Sequence, residues 1–169
     1  MTAIPQKRVG IVLGSASDLE VARKATGILD VLGIGYELAI ASAHRTPKRT
    51  REFVFACEAA GVEVFIAIAG MAAALPGVVA AETLVPVIGV PVRSQALEGW
   101  DALLSIVQMP PGIPVATVAV GGGANAALLA AHMLGLKYPE IRAALLHYRQ
   151  EQVRKVEEAH RAEGLSALI

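Results

Sequence analysis

The chain has 169 residues, 54% hydrophobic but only 4% aromatic, and its 15 basic and 15 acidic side chains cancel to a formal charge of zero. That length suits one domain, 1–169, with a core needing no disulfide or metal, and a neutral balance offers no overall field for nucleic acid or an anionic membrane. Cys57 is the only cysteine, no apolar run reaches the ~18 residues of a membrane span, and "MTAIPQKR" does not read as a signal peptide, so a cytoplasmic, unprocessed protein is expected.

The first strand is "RVGIVL" at 8–13. The turn "GSASDLE" follows, where Ser17 and Glu20 stand at capping-box spacing. Val21, Ala25, Ile28, Leu29 and Leu32 then recur at helical spacing up to a capping Gly33. "YELAIA" at 36–41 is a second strand, and after "SAHRTP" a helix capped by Thr46 and opened by Pro47 runs towards Gly61. "VEVFIAIA", "VPVIGV" and "PVATVAV" (114–120) read as further strands, separated by helices over "LPGVVAAET" and "GWDALLSIVQ". "QMPPGIPV" is a turn, and "GGGANA" leads into another helix. From Pro139 to about Glu163 a long helix carries Ile141, Leu145, Tyr148, Val156 and Ala159 on a narrow apolar stripe, which suits its own domain or a neighbouring subunit equally well. Five near-continuous apolar strands alternating with helices predict a three-layer α/β domain with a parallel sheet buried on both faces.

Ligands of such sheets favour the loops at the strands' carboxyl ends. In "GSASD", Ser15, Ser17 and the helix-end N–H groups can hold phosphate and Asp18 can accept from ribose hydroxyls, although capping alone would also explain the turn. "SAHRTP" clusters Ser42, His44 and Arg45: a guanidinium can bond a phosphate twice, and an imidazole exchanges protons near neutral pH. A surface ion pair and a loop hydrogen bond explain them comparably well. "GMAAALPG" offers no ionisable group, but Gly70, Ala72, Ala73 and Ala74 can present backbone N–H donors over a planar ring or carboxylate, unless they serve only tight packing. "GGGANA" satisfies G-x-G-x-x-A, yet it follows the last strand and lacks the partner acid of a dinucleotide site. His132, His147 and His160 lack a second ligand at metal spacing, Cys57 reads as packing, and Trp100 as a helix or interface anchor.

Together "GSASD", "SAHRTP", "LPG", "PVIGVPV", "LLSIVQMPPGIPVAT" and "NAALLA", spanning roughly residues 8–148, resemble the aminoimidazole ribonucleotide carboxylase family of purine biosynthesis, nearest its N5-carboxyaminoimidazole ribonucleotide mutase branch. The resemblance implies a flavodoxin-like sandwich, a homo-octamer with active sites at subunit junctions, an aminoimidazole ribonucleotide substrate, and no metal, ATP or organic cofactor. It implies His44 as general acid/base, Ser15 and Asp18 as substrate-binding, Arg45 as phosphate-binding, and Ser17 and Ser42 as supporting contacts. The carboxylate would move from the exocyclic nitrogen to carbon 4 of the imidazole. This chain reads "AAALPG", with Ala74 where mutase-like members commonly carry histidine. A direct carboxylase using CO2 and a non-catalytic nucleotide-binding relative are the alternatives.

Overall fold

The computed structural model describes residues 6–163. The reading of 1–5 and 164–169 as parts of the same unit lies outside the described residues. Five parallel strands, β1 (Lys7–Leu13), β2 (Gly35–Ile40), β3 (Val64–Gly70), β4 (Val87–Val92) and β5 (Ala116–Thr117), form one sheet in the order β2-β1-β3-β4-β5. Among the described residues six α-helices accompany them: α1 (Leu19–Val31), α2 (Pro47–Ala59), α3 (Leu75–Glu82), α4 (Trp100–Val107), α5 (Gly123–Gly135) and α6 (Pro139–Ala162).

The continuous apolar strands are explained by two cores, one on each face. In β3, Val64, Ile66 and Ile68 point to the side covered by α1, α5 and α6, while Phe65, Ala67 and Ala69 point to the side covered by α2, α3 and α4. Gly10 in β1 makes room for the Phe65 ring, since a Cβ there would lie 2.6 Å from it. Phe65 is fully buried, a gain of about 2–3 kcal/mol by apolar burial.

Two expectations about the sheet need correction. β2 is only partly buried along its length because it is an edge strand, covered by neighbours on one side. The fifth strand, predicted over 114–120, keeps ladder pairing only at Ala116 and Thr117. Gly89 and Pro91 of β4 turn their polar groups to this edge, accepting from Val118 N–H at 3.1 Å and Gly121 N–H at 2.8 Å. Pro91 has no N–H to return, so the ladder lapses there.

The long C-terminal helix packs on its own chain through its first half, where Ile141 and Leu145 are buried and Ala144 and Tyr148 lie against the core. Beyond that, Val153 and Val156 are exposed, as are Leu146 and, on α4, Trp100 and Leu104. At the strands' amino ends, Glu63 gathers Arg8 (2.8 Å), Lys137 (2.7 Å) and the Tyr138 hydroxyl (2.5 Å), tying β1 and β3 to the α5–α6 junction. No described helix is long and apolar enough to cross a membrane.

Candidate active site

The order β2-β1-β3 reverses the winding of the chain between β1 and β3, and a crevice opens at the carboxyl ends of strands flanking such a reversal. The loops after β1, β2 and β3 are therefore neighbours, and hydrogen bonds join the first to β3 and the second to the first. Gly14 N–H donates to the Ile68 carbonyl of β3 at 3.0 Å. The Arg45 guanidinium reaches back from the second loop to the Gly14 carbonyl at 3.4 Å.

The first loop is a 3-10 turn, Ala16–Asp18, inserted ahead of α1. Ser15 Oγ accepts from Ser17 N–H at 3.4 Å and Asp18 Oδ2 accepts from Ser15 N–H at 3.0 Å. The reciprocal cap is thus Ser15 with Asp18, and not Ser17 with Glu20 as the spacing suggested, because the added turn moves the unpaired N–H groups two residues upstream. Ser17 contributes its hydroxyl, which donates to Asp18 Oδ1 at 3.2 Å. Asp18 is 4% exposed, and burial raises its carboxyl above the ordinary range while the bonds from Ser17 and Ser15 pull it partly back. Ser15 is half-buried and Ser17 exposed, so the turn presents hydroxyls outward over a buried carboxylate.

In the second loop, Thr46 does not cap α2 as expected; its side chain makes no bond to the helix N–H groups. Instead it turns back to Ser42, accepting from its N–H at 2.9 Å and donating to its carbonyl at 3.2 Å. Arg45 bonds Ser42 Oγ through its backbone N–H (3.3 Å) and its Nε (3.4 Å). These guanidinium contacts are at the long limit of hydrogen bonding, so an anion with better geometry can take them over. His44 is exposed at the middle of this turn.

The third loop shows a feature the sequence did not signal: Met71 and Ala73 both have positive φ, 57° and 23°. For side chains other than glycine such conformations cost on the order of 1–3 kcal/mol, and they concentrate at ligand-holding loops. Ala73 N–H donates to the Gly70 carbonyl at 3.1 Å, closing the bend, with Gly70 half-buried, Ala72 exposed and Ala74 half-buried at the start of α3.

Other candidates stand apart. A Cβ on Gly123 would lie 2.2 Å from the Val21 carbonyl oxygen, so the glycine-rich turn serves close packing of α5 on α1. His132 accepts from Arg149 at 3.1 Å and bonds the Leu128 carbonyl at 2.7 Å, beside a cleft of 380 Å³ between α5 and α6. A second cleft, of 730 Å³, opens at the strands' amino ends near Glu58 and Gly112. Neither is lined by the three-loop residues. Cys57 is buried and its thiol is pushed up to about 11, by burial first and the Glu37 charge second, which makes it packing and not a nucleophile. Trp100 is not anchored in this chain's core, being 65% exposed.

The family described as AIR carboxylase matches residues 8–155. The chain belongs to the AIR carboxylase family. Among AIR carboxylase relatives, the N5-carboxyaminoimidazole ribonucleotide mutase of Pyrococcus horikoshii is 57% identical over 150 residues, covering 89% of this chain and 85% of that protein. The protein of the same name from Thermotoga maritima is 54% identical over 159 residues, covering 94% and 93%. The crystal structure of Treponema denticola PurE superimposes with a TM-score of 0.83 at 34% identity, over 91% of this chain and 96% of that one. The flavodoxin-like sandwich is the AIR carboxylase fold seen in that neighbour.

Proposed function

We propose that the chain is an N5-carboxyaminoimidazole ribonucleotide mutase of purine biosynthesis, an isomerase that moves a carboxylate from the exocyclic nitrogen of the imidazole to carbon 4. The observation that carries this reading is the joining of the first two loops: Arg45, next to His44, reaches the Gly14 carbonyl at the mouth of β1. One anion-holding group and one proton-exchanging group thus share the edge where the sheet reverses.

In the proposed reaction Arg45 holds the ribonucleotide phosphate, and Ser15, Ser17 and Ser42 supply hydroxyls around it. Asp18 accepts from the ribose; the two bonds it already receives leave carboxylate lone pairs available. His44 donates a proton to the nitrogen as the N–C bond breaks, giving CO2 and aminoimidazole ribonucleotide. Carbon 4 attacks that CO2, and the neutral imidazole of His44 then removes the ring proton. Gly70 and Ala72, in the strained third loop, offer backbone donors to the migrating carboxylate, and the alanines beside them wall in CO2 so that recombination is effectively unimolecular.

The exposed apolar side chains of α4 and the second half of α6 are the surfaces on which subunits would meet. The assembly we propose is a homo-octamer in the cytoplasm, with 1–169 a single unit and the exposed second half of α6 packing on a neighbour. The test is conversion of the carbamate nucleotide with ATP and bicarbonate omitted. Formation of the 4-carboxy product supports the mutase. Tight binding without conversion would leave a nucleotide-binding relative, and preference for the unsubstituted ring with bicarbonate would make it a direct carboxylase.

A further inference from the structure

Among the described residues the His44 side chain has no hydrogen bond or ion pair, although it is the residue to which the proposed function gives both proton transfers. What the protein fixes is therefore the Cα–Cβ direction of His44, set by its backbone, and the backbone of 42–46 is a turn closed at its two ends. Thr46 N–H donates to the Ser42 carbonyl at 2.9 Å, and the Thr46 hydroxyl bonds that carbonyl (3.2 Å) and accepts from the Ser42 N–H (2.9 Å). One side chain thus engages both backbone polar groups of the residue at the far end, with His44 midway between them.

The position of Thr46 makes this arrangement costly elsewhere. It is the N-cap of α2, where a threonine hydroxyl ordinarily accepts from a helix N–H and contributes about 1 kcal/mol. Here no such bond forms, and Pro47 at the first helical position leaves one fewer N–H to satisfy. The hydroxyl is given to the loop instead. Ser42 N–H is also the donor that needs it: the preceding Ala41 N–H still reaches β1 at the Leu13 carbonyl (2.9 Å), and Ser42 is where the chain leaves the sheet.

We infer that Thr46 is a positioning residue for His44, its hydroxyl clasping both backbone polar groups of Ser42 so that the closed 42–46 turn holds the His44 backbone, and with it the root of the imidazole, in place toward the substrate. The inference rests on the acid/base role proposed for His44. It assigns no contact between Thr46 and substrate.

The test compares Thr46→Val, which keeps the shape and removes the hydroxyl, with Thr46→Ser, which keeps the hydroxyl. In Thr46→Val, kcat should fall about 10- to 100-fold, as expected for an ångström-scale misplacement of the reacting group, with KM changed less than about 3-fold. Thr46→Ser should recover kcat to within about 3-fold of the parent. Hydrogen exchange at the Ser42 amide should quicken in the valine variant and remain slow in the serine variant, a readout independent of turnover. If Thr46→Val does not fold, Thr46→Ala is judged by the same criteria. A kcat in the folded valine variant within about 2-fold of the parent, or a serine variant as impaired as the valine one, overturns the inference. His44→Asn is assayed alongside: if it is inactive while Thr46→Val is normal, only the Thr46 inference falls, and if the parent chain itself does not convert the nucleotide, the proposed function falls with it.

Discussion

Replacing Gly123 by alanine would put a Cβ 2.2 Å from the carbonyl oxygen of Val21 and 3.2 Å from its carbonyl carbon. An ordinary carbon–oxygen contact needs about 1 Å more, and the obstacle is main chain inside α1, so a rotamer change cannot relieve it. Overpacking of this kind costs about 3 kcal/mol, from which up to about 1 kcal/mol of helix propensity is recovered, for a net loss of about 2 kcal/mol. For a chain of this size that lowers the thermal midpoint by about 4–8 °C, measured at fixed protein concentration because association would shift it. Gly27 is the control: it lies within α1, exposed, with nothing within 4 Å of an added Cβ, and Gly27→Ala should raise stability by about 0.5–1 kcal/mol. Scanning calorimetry or denaturant titration reads both. If Gly123→Ala were as stable as the parent, the close approach of α5 to α1 would be wrong, and the glycine would again be open to a ligand-cradling role.

Asp18→Asn keeps both bonds of the turn, with the amide oxygen accepting from Ser15 and the amide nitrogen donating to Ser17. Because burial raises the Asp18 carboxyl above its ordinary 3.8, the folded state binds that proton more tightly, an advantage full below 3.8 and lost as pH rises through the folded value. The asparagine variant should therefore gain in stability relative to the parent as pH rises, in parallel denaturant titrations, while its nucleotide affinity falls about 10-fold. Glu63→Gln should cost about 1–3 kcal/mol at neutral pH, since Arg8 of β1 and Lys137 and Tyr138 of the α5–α6 junction lose a charged acceptor. Burial works against the Glu63 carboxylate, but Lys137, Tyr138 and Arg8 together hold its pKa below 4.5. Its contribution is present above 4.5 and lost as pH falls through the lowered value, so the gap between variant and parent should close in acid. A gap that widened in acid would contradict the network.

The sheet and its two cores followed from the apolar runs, because a strand covered on both faces has no polar alternation to disguise it. What periodicity missed came from single residues acting across elements. Pro91 carried the signal that β5 is short, but only once it was known to face that edge. Ser15-x-x-Asp18 and Ser17-x-x-Glu20 have the same spacing, and the 3-10 turn that decides between them leaves no mark in the composition. Thr46 before Pro47 read as a cap; its bond to Ser42 depends on how the chain leaves β2. The positive φ of Met71 and Ala73 falls on residues that give no warning of it. His44 and Arg45 stood out because polar density between a buried strand and a helix needs a reason, while the link from Arg45 to Gly14 required the fold.

The most direct measurement is carboxyl transfer by the parent chain and His44→Asn, each with the carbamate nucleotide and no ATP, beside nucleotide binding by calorimetry. The parent should form the 4-carboxy product, and the variant should bind within about 3-fold as tightly yet lose turnover by at least about 100-fold together with exchange of the ring proton. Near-parental turnover in His44→Asn would contradict the account.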